Sequence, residues 1–430
     1  MTSRRADRYP FLPGTSPPII VGAEGNHLIT ADGRRILDAA GGAVVTNIGH
    51  GRPEPMEAAA GAPVDYVVPI WATESRIELV ERLQTDWLPD PTARCMIVTG
   101  GSEAVDAAVR VARLYQVAIG RPERWKVLGQ SVSYHGTTLA TLAVANHDRR
   151  RAHLEPLLVD QPKWAAFDIG NLADVIARED PATVAAVVLE PVSGASGAAA
   201  TPPPGYLAAV RALCDTHGIV MIADEVMTGF GRTGAAFAVD HEAVIPDLLV
   251  GGKGLGGGYA PVGMVAATET VTAPIAAAGA EVMYHTFSAS EVSCRVANAV
   301  LRIMEREQLV ARAAAMGDRL AGALAAATAD HPQVADVRGV GLLQGIELVA
   351  DRASGSGFGG RLTPLVVAEA LARGVWIYPA GSAGVPDGLL FGPPFTITTD
   401  EIEQIAAVTV ASIDAAVATL TASGSGAAAP

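Results

Sequence analysis

Lysine is scarce in this 430-residue chain, with Lys126, Lys163 and Lys253 the whole supply. Acids outnumber bases, 45 Asp plus Glu against 31 Lys plus Arg, and they are spread rather than clustered. That balance excludes the basic footprint of a nucleic-acid binder and the polybasic patch of a membrane-surface protein. Cysteine is as thin: Cys95, Cys214 and Cys294 are odd in number, far apart, and form no CxxC or Cys/His metal spacing. Free thiols in a reducing compartment are the expectation, with neither a disulfide framework nor a metal site. Long apolar runs are missing, none approaching the ~18 residues of a membrane helix. Met1-Thr2-Ser3-Arg4-Arg5 leads into no apolar signal core, so a cytoplasmic location is expected. Finally, no Arg or Lys occurs from Gly374 to the end.

What is present is apolar material, 50% of the residues, enough for a large core in two or three domains of roughly 150 residues each. Between residues 92 and 267, short Val/Ile/Leu runs alternate with helical patterns: Cys95 to Thr99, Val127 to Gly129, Val184 to Leu189, Ile219 to Ala223, Leu248 to Val250 and Val262 to Ala267. Runs without polar alternation are strands covered on both faces, so the class is α/β, a mainly parallel sheet flanked by helices. A helix is predicted from Ser102 to Ile119, with Ala104, Ala108, Val111 and Tyr115 on one stripe and Ser102 able to cap. Another runs from Tyr206 to His217 and stops at Gly218. After residue 293 come a long Ala/Arg/Glu-rich helical stretch, shorter strands around Val334 to Leu348 and Val375 to Tyr378, and a closing helix from Asp400, which read as a smaller α+β domain. The N-terminal segments Ile19 to Val21, His27 to Thr30 and Arg35 to Asp38 could pair with either domain, and the tail from Thr421 to Pro430 reads as flexible.

Ligands of open α/β sheets bind at the carboxyl ends of the strands. There stand Gly100-Gly101-Ser102, Tyr134-His135-Gly136, Glu190, Asp224-Glu225 and Lys253, the last inside the glycine run Gly251 to Gly258. Taken singly each has an ordinary reading: a strand-to-helix turn, a half-buried aromatic, a strand terminator, an N-cap, a solvated loop lysine. Together they match one cofactor, pyridoxal phosphate. Gly101 and Ser102 at a helix start suit its phosphate. Asp224 suits its ring nitrogen, Tyr134 or His135 one ring face and Val226 the other, and Lys253 its aldehyde. Gly252-Lys253-Gly254-Leu255-Gly256-Gly257 also satisfies GxGxxG, a nicotinamide-dehydrogenase signal, but Pro261 and the apolar run after it predict a turn into a strand.

The segment Ala223-Asp224-Glu225-Val226-Met227-Thr228-Gly229-Phe230-Gly231-Arg232-Thr233-Gly234, with Pro246-Asp247 and the Lys253 turn, resembles the class III pyridoxal-phosphate aminotransferases, the omega-aminotransferase family of fold type I. Ser133-Tyr134-His135-Gly136, His285-Thr286-Phe287-Ser288 and Pro393-Pro394-Phe395-Thr396-Ile397-Thr398 extend the resemblance along nearly the whole chain. It implies a Schiff-base role for Lys253, a pyridine partner in Asp224, a supporting catalytic role for Glu190, and phosphate ligands in Gly101 and Ser102. It also implies Thr286 as a phosphate ligand donated across a homodimer or a dimer of dimers. Residues 1–60 would contribute to the small domain, 61–315 would form the large cofactor-binding domain, 316–420 the C-terminal small domain, and 421–430 a tail. The activity implied is transfer of an amino group from an amine to a carbonyl acceptor, with a racemase, epimerase or aminomutase of the same family as the alternative.

Three departures from the family pattern stand out. Ala195 replaces the glutamate of the ornithine- and acetylornithine-type members, Ala289-Ser290-Glu291 replaces a Gly-Asn-Pro-like turn, and the arginine-free C-terminal region lacks the usual carboxylate anchor. Either another arginine substitutes or one substrate is no simple keto acid. A pocket with Trp71, Val44 and Val45 in its wall, preferring hydrophobic or bulky amines, is the resulting expectation.

Overall fold

The computed structural model describes Phe11, residues 17–382 and residues 385–424. Its central sheet has the spatial order Arg94–Val98, Gly263–Ala267, Leu248–Gly251, Val220–Asp224, Val184–Leu189, Lys126–Gln130, Lys163–Trp164. The last five pair in parallel, while Gly263–Ala267 runs antiparallel to both of its neighbours. Val184–Leu189 and Val220–Asp224 are buried at every position, as continuous apolar runs require. The six predicted strands are present. The seventh, Lys163–Trp164, is two residues long and offers no run to read.

Helix Gly101–Ala118 lies against this sheet with Ala104, Ala108 and Val111 buried, and Tyr206–His217 stops at Gly218, whose φ of 61° suits glycine. Ser102 is not the cap of the first helix. Gly100 holds that position with no side-chain cap bond, and Ser102 sits inside the first turn.

Strands Ile20–Glu24, His27–Thr30 and Arg35–Asp38 form a second sheet whose fourth member is Val375–Trp376, with Leu37 paired in parallel to Val375. The N-terminal segment therefore joins the C-terminal part. A third, antiparallel sheet holds Val334–Val340, Leu343–Leu348, Val385–Phe391 and Tyr378–Ser382.

The closing helix corrects one expectation. Within Thr399–Ala422 the most apolar 18-residue window has mean hydropathy 1.8, so the helix is long and apolar enough to cross a membrane by length and composition. The sequence hides this because Asp400, Glu401 and Glu403 interrupt the apolar run at its start. One side, Ile402, Ile405, Thr409, Ile413 and Ala416, is buried, and the helix packs on Leu362–Ala372 and Leu309–Thr328, as a core helix does. It continues to Gly424; the rest of the Ser/Gly/Ala tail, like Met1 to Arg5, lies outside the described residues. Cys95, Cys214 and Cys294 are unpaired.

Candidate active site

Four parallel strand ends and one helix start close on a cavity of about 170 Å³. Of the predicted residues, Gly101, Ser102, Tyr134, His135, Glu190, Asp224, Val226 and Lys253 all line it.

Lys253 follows strand Leu248–Gly251 in a short 3-10 turn and holds a φ of 37°. That left-handed backbone disfavours a side-chain-bearing residue and marks a position fixed by its surroundings. Burial pushes the amine's pKa down, and the carboxylates of Asp224 and Glu190 pull it partly back. Among the described residues no hydrogen bond or ion pair holds this amine. It is free to react.

Asp224 ends its strand with the side chain buried. Its Oδ2 lies 2.8 Å from His135 Nδ1, and its Oδ1 accepts the Val226 N–H at 3.1 Å. One carboxylate oxygen is thereby held by the ring and the other by the backbone, which fixes the group's direction. His135 is also buried, and its Nε2 has no partner.

Glu190 Oε1 accepts the Tyr134 N–H and Oε2 the Gly194 N–H, both at 2.8 Å. Burial drives its carboxyl pKa up; His135 opposes this, Asp224 adds to it, and the two N–H groups oppose it again. With both oxygens occupied by backbone, Glu190 braces two loops at the cavity wall.

The helix start supplies an anion site, since the first N–H groups of a helix have no partner within it. A Cβ added at Gly101 would come 2.6 Å from Val226 Cγ1, so glycine is what lets this turn approach the pocket. Ser102 Oγ accepts the Thr137 N–H at 3.2 Å. The Tyr134 ring carries the Arg150 guanidinium 4.4 Å from its centroid and the edge of His147 at 6.4 Å.

These groups fit pyridoxal phosphate. The glycine-lined cradle at the helix start would take the phosphate, and the braced Asp224 the ring nitrogen. The unpartnered His135 Nε2 is a spare polar atom, and the free amine of Lys253 meets the aldehyde.

The structure does not bring every expected residue here. Val44 packs one layer behind the wall, in an apolar cluster with Val192 and Ala198, and Val45 is half-buried beside the loop of Gly258. Trp71 lines a separate cavity of about 610 Å³ with Tyr284 and Ser288, and Thr286 is exposed next to it. Ala195, which the sequence marks only by its departure from a family glutamate, lines the cavity, and sequence reasoning gave no role to Val192, Met227 and Thr228, which line it too. Their only signal was adjacency to Glu190 and Asp224. The glycine run, as expected, opens into strand Gly263–Ala267 and not into a helix, so it makes no dinucleotide site.

The family model for class III aminotransferases matches residues 14–413. An uncharacterized aminotransferase of Bacillus subtilis is 34% identical over 424 residues, covering 92% of this chain and 96% of that protein. The hypotaurine/taurine–pyruvate aminotransferase of Paracoccus denitrificans is 33% identical over 414 residues, covering 90% of each. The solved thermostable (S)-enantioselective omega-transaminase of Thermomicrobium roseum superposes with a TM-score of 0.89 at 32% identity, over 95% of this chain and 97% of that one. With a matched model spanning nearly its whole length and relatives above 30% identity along most of it, the chain belongs to the class III aminotransferase family.

Proposed function

We propose that Lys253, Asp224 and the Gly101-Ser102 turn carry the pyridoxal-phosphate-dependent amino transfer that family membership establishes for this enzyme. An amine donor leaves as a carbonyl compound, and a carbonyl acceptor then leaves as an amine. When bound, the cofactor supplies an electron sink for the carbon that loses its proton. The observation that carries the assignment is the convergence of an unpaired amine with depressed basicity and a braced, buried carboxylate in one cavity.

Each side chain then has a task. Lys253 Nζ, its basicity lowered by burial, would hold the cofactor through its aldehyde and carry the proton to and from the substrate carbon bearing nitrogen. Asp224, aimed by His135, would hold the proton on the cofactor's ring nitrogen. The N–H groups at Gly101 and the Ser102 hydroxyl bind phosphate. Tyr134 would cover one ring face and Val226 pack the other. Glu190 acts as a positioning residue through Tyr134 and Gly194.

The donor is read as an amine with an apolar substituent, because Val192, Ala195, Val226 and Met227 make up the uncharged wall. We assign the working form to a homodimer, supported by the exposed apolar residues Ile70, Trp71, Met283, Tyr284 and Phe287 gathered around Thr286. No comparison supports the racemase or aminomutase alternative.

The test is the visible spectrum of the cofactor-loaded enzyme with a panel of amines and no acceptor. Donor-dependent loss of the yellow band, reversed by a carbonyl acceptor, is expected, with the rate falling about 10²- to 10⁴-fold in Lys253→Ala. A band that amines never change would sink the roles given to these residues. Alanine outperforming every apolar amine would sink the donor reading.

A further inference from the structure

The lining of the cavity holds two carboxyl groups, Glu190 and Asp224, and one amine, Lys253. An acceptor bearing an acid group meets no fixed positive charge there once Lys253 is engaged. The C-terminal region that would supply one has no Arg or Lys after Gly374. The other arginines with contacts near the domain junction are committed: Arg232 donates to the Leu342 and Pro393 carbonyls and to Asn47, and Arg338 to the Gly197 and Ala198 carbonyls and to Glu347.

Arg150 differs. It stands on the short helix Asp148–Arg151, is exposed, and among the described residues pairs with no carboxylate. Its neighbour Arg151 is spent on the carbonyls of Leu142, Ala143 and Ala145. The Arg150 guanidinium instead lies over the ring of Tyr134, a residue of the cavity wall whose own N–H is tied to Glu190. Stacking on the ring of a wall residue holds the fork next to the cavity, outside its lining, while leaving its N–H donors open.

We infer that Arg150 is the anion-recognition residue of the acceptor half-reaction, taking the carboxylate of an oxo acid next to the cavity in place of the missing C-terminal arginine. The position over Tyr134, outside the lining that includes Lys253, suits an acid group carried several bonds from the reacting carbonyl. The positive charge is also felt by the Lys253 amine, whose basicity it lowers, as a cation close to the site would. The inference rests on the transaminase reading and deepens it.

The holoenzyme is first converted with an uncharged amine donor, then supplied with 4-oxobutanoate, pyruvate or butanal, and the return of the yellow band is timed. In Arg150→Met, kcat/KM for 4-oxobutanoate falls about 10- to 100-fold more than for butanal, the loss expected when a charge-assisted fork is removed. Most of the loss is in KM, pyruvate is affected less, and Arg150→Lys recovers only part of it. Equal changes for acid and aldehyde, or no change for either, overturn the assignment. Failure of the donor to convert wild-type enzyme at all would instead mean that the transaminase reading itself has failed.

Discussion

Glu225 shows what a single buried side chain does to this protein. It stands beside Asp224, fully buried, accepting the Val239 N–H at 2.8 Å and the Thr228 hydroxyl, and burial pushes its carboxyl to about 7. A carboxyl whose folded pKa lies above its ordinary 4.5 binds more protons folded than unfolded in that window. Stability is therefore full below pH 4.5 and declines as pH rises toward 7, by up to about 3 kcal/mol from this group. Glu225→Gln keeps the shape without the titration, so the difference in Tm between variant and wild type should shift in the variant's favour from pH 4.5 to 7. A difference that stays flat with pH would refute it. At this scale the sequence was legible where a residue type was rare or punctuated by glycine, as at Lys253. It was silent on pairings: His135 and Asp224 meet across 89 positions, and nothing local marks Arg150 as standing over Tyr134.

Elements were legible in proportion to their burial. Val184–Leu189 shows itself because both faces of a central strand select apolar residues, whereas Lys163–Trp164 at the sheet edge is too short for any pattern. Ser102 was misread as a cap because its type suits one, while the tight turn needs the bare backbone of Gly100 and Gly101. That turn carries its own prediction. Gly101→Ala forces a Cβ to within 2.6 Å of Val226 Cγ1, so either the helix start or the Val226 wall retreats. Cofactor affinity, read by titrating the visible band, should weaken roughly 10-fold or more while the apoprotein's Tm falls by only a few degrees. Unchanged affinity would mean that the helix start does not face the phosphate.

At the level of the whole molecule, the exposed apolar residues Ile70, Trp71 and Tyr284 line a cavity separate from the one lined by Lys253, and apolar side chains gathered on a surface mark a site of association. Sedimentation of the holoenzyme should give twice the chain mass of 44.1 kDa. Trp71→Asp together with Tyr284→Asp should shift the weight toward single chains and weaken cofactor binding with it. A fully active wild-type monomer would overturn the dimer. The closing helix was underestimated for the converse reason: hydropathy says how apolar a segment is, and only packing says what it is apolar toward. The pairing of Leu37 with Val375 has a further consequence in time. A nascent chain emerging at about 5–20 residues per second holds strands Ile20–Glu24, His27–Thr30 and Arg35–Asp38 without their fourth partner for tens of seconds. The central sheet can assemble meanwhile, so the earliest-made segment of this enzyme is among the last to complete its sheet, and until then that sheet keeps an unpaired edge.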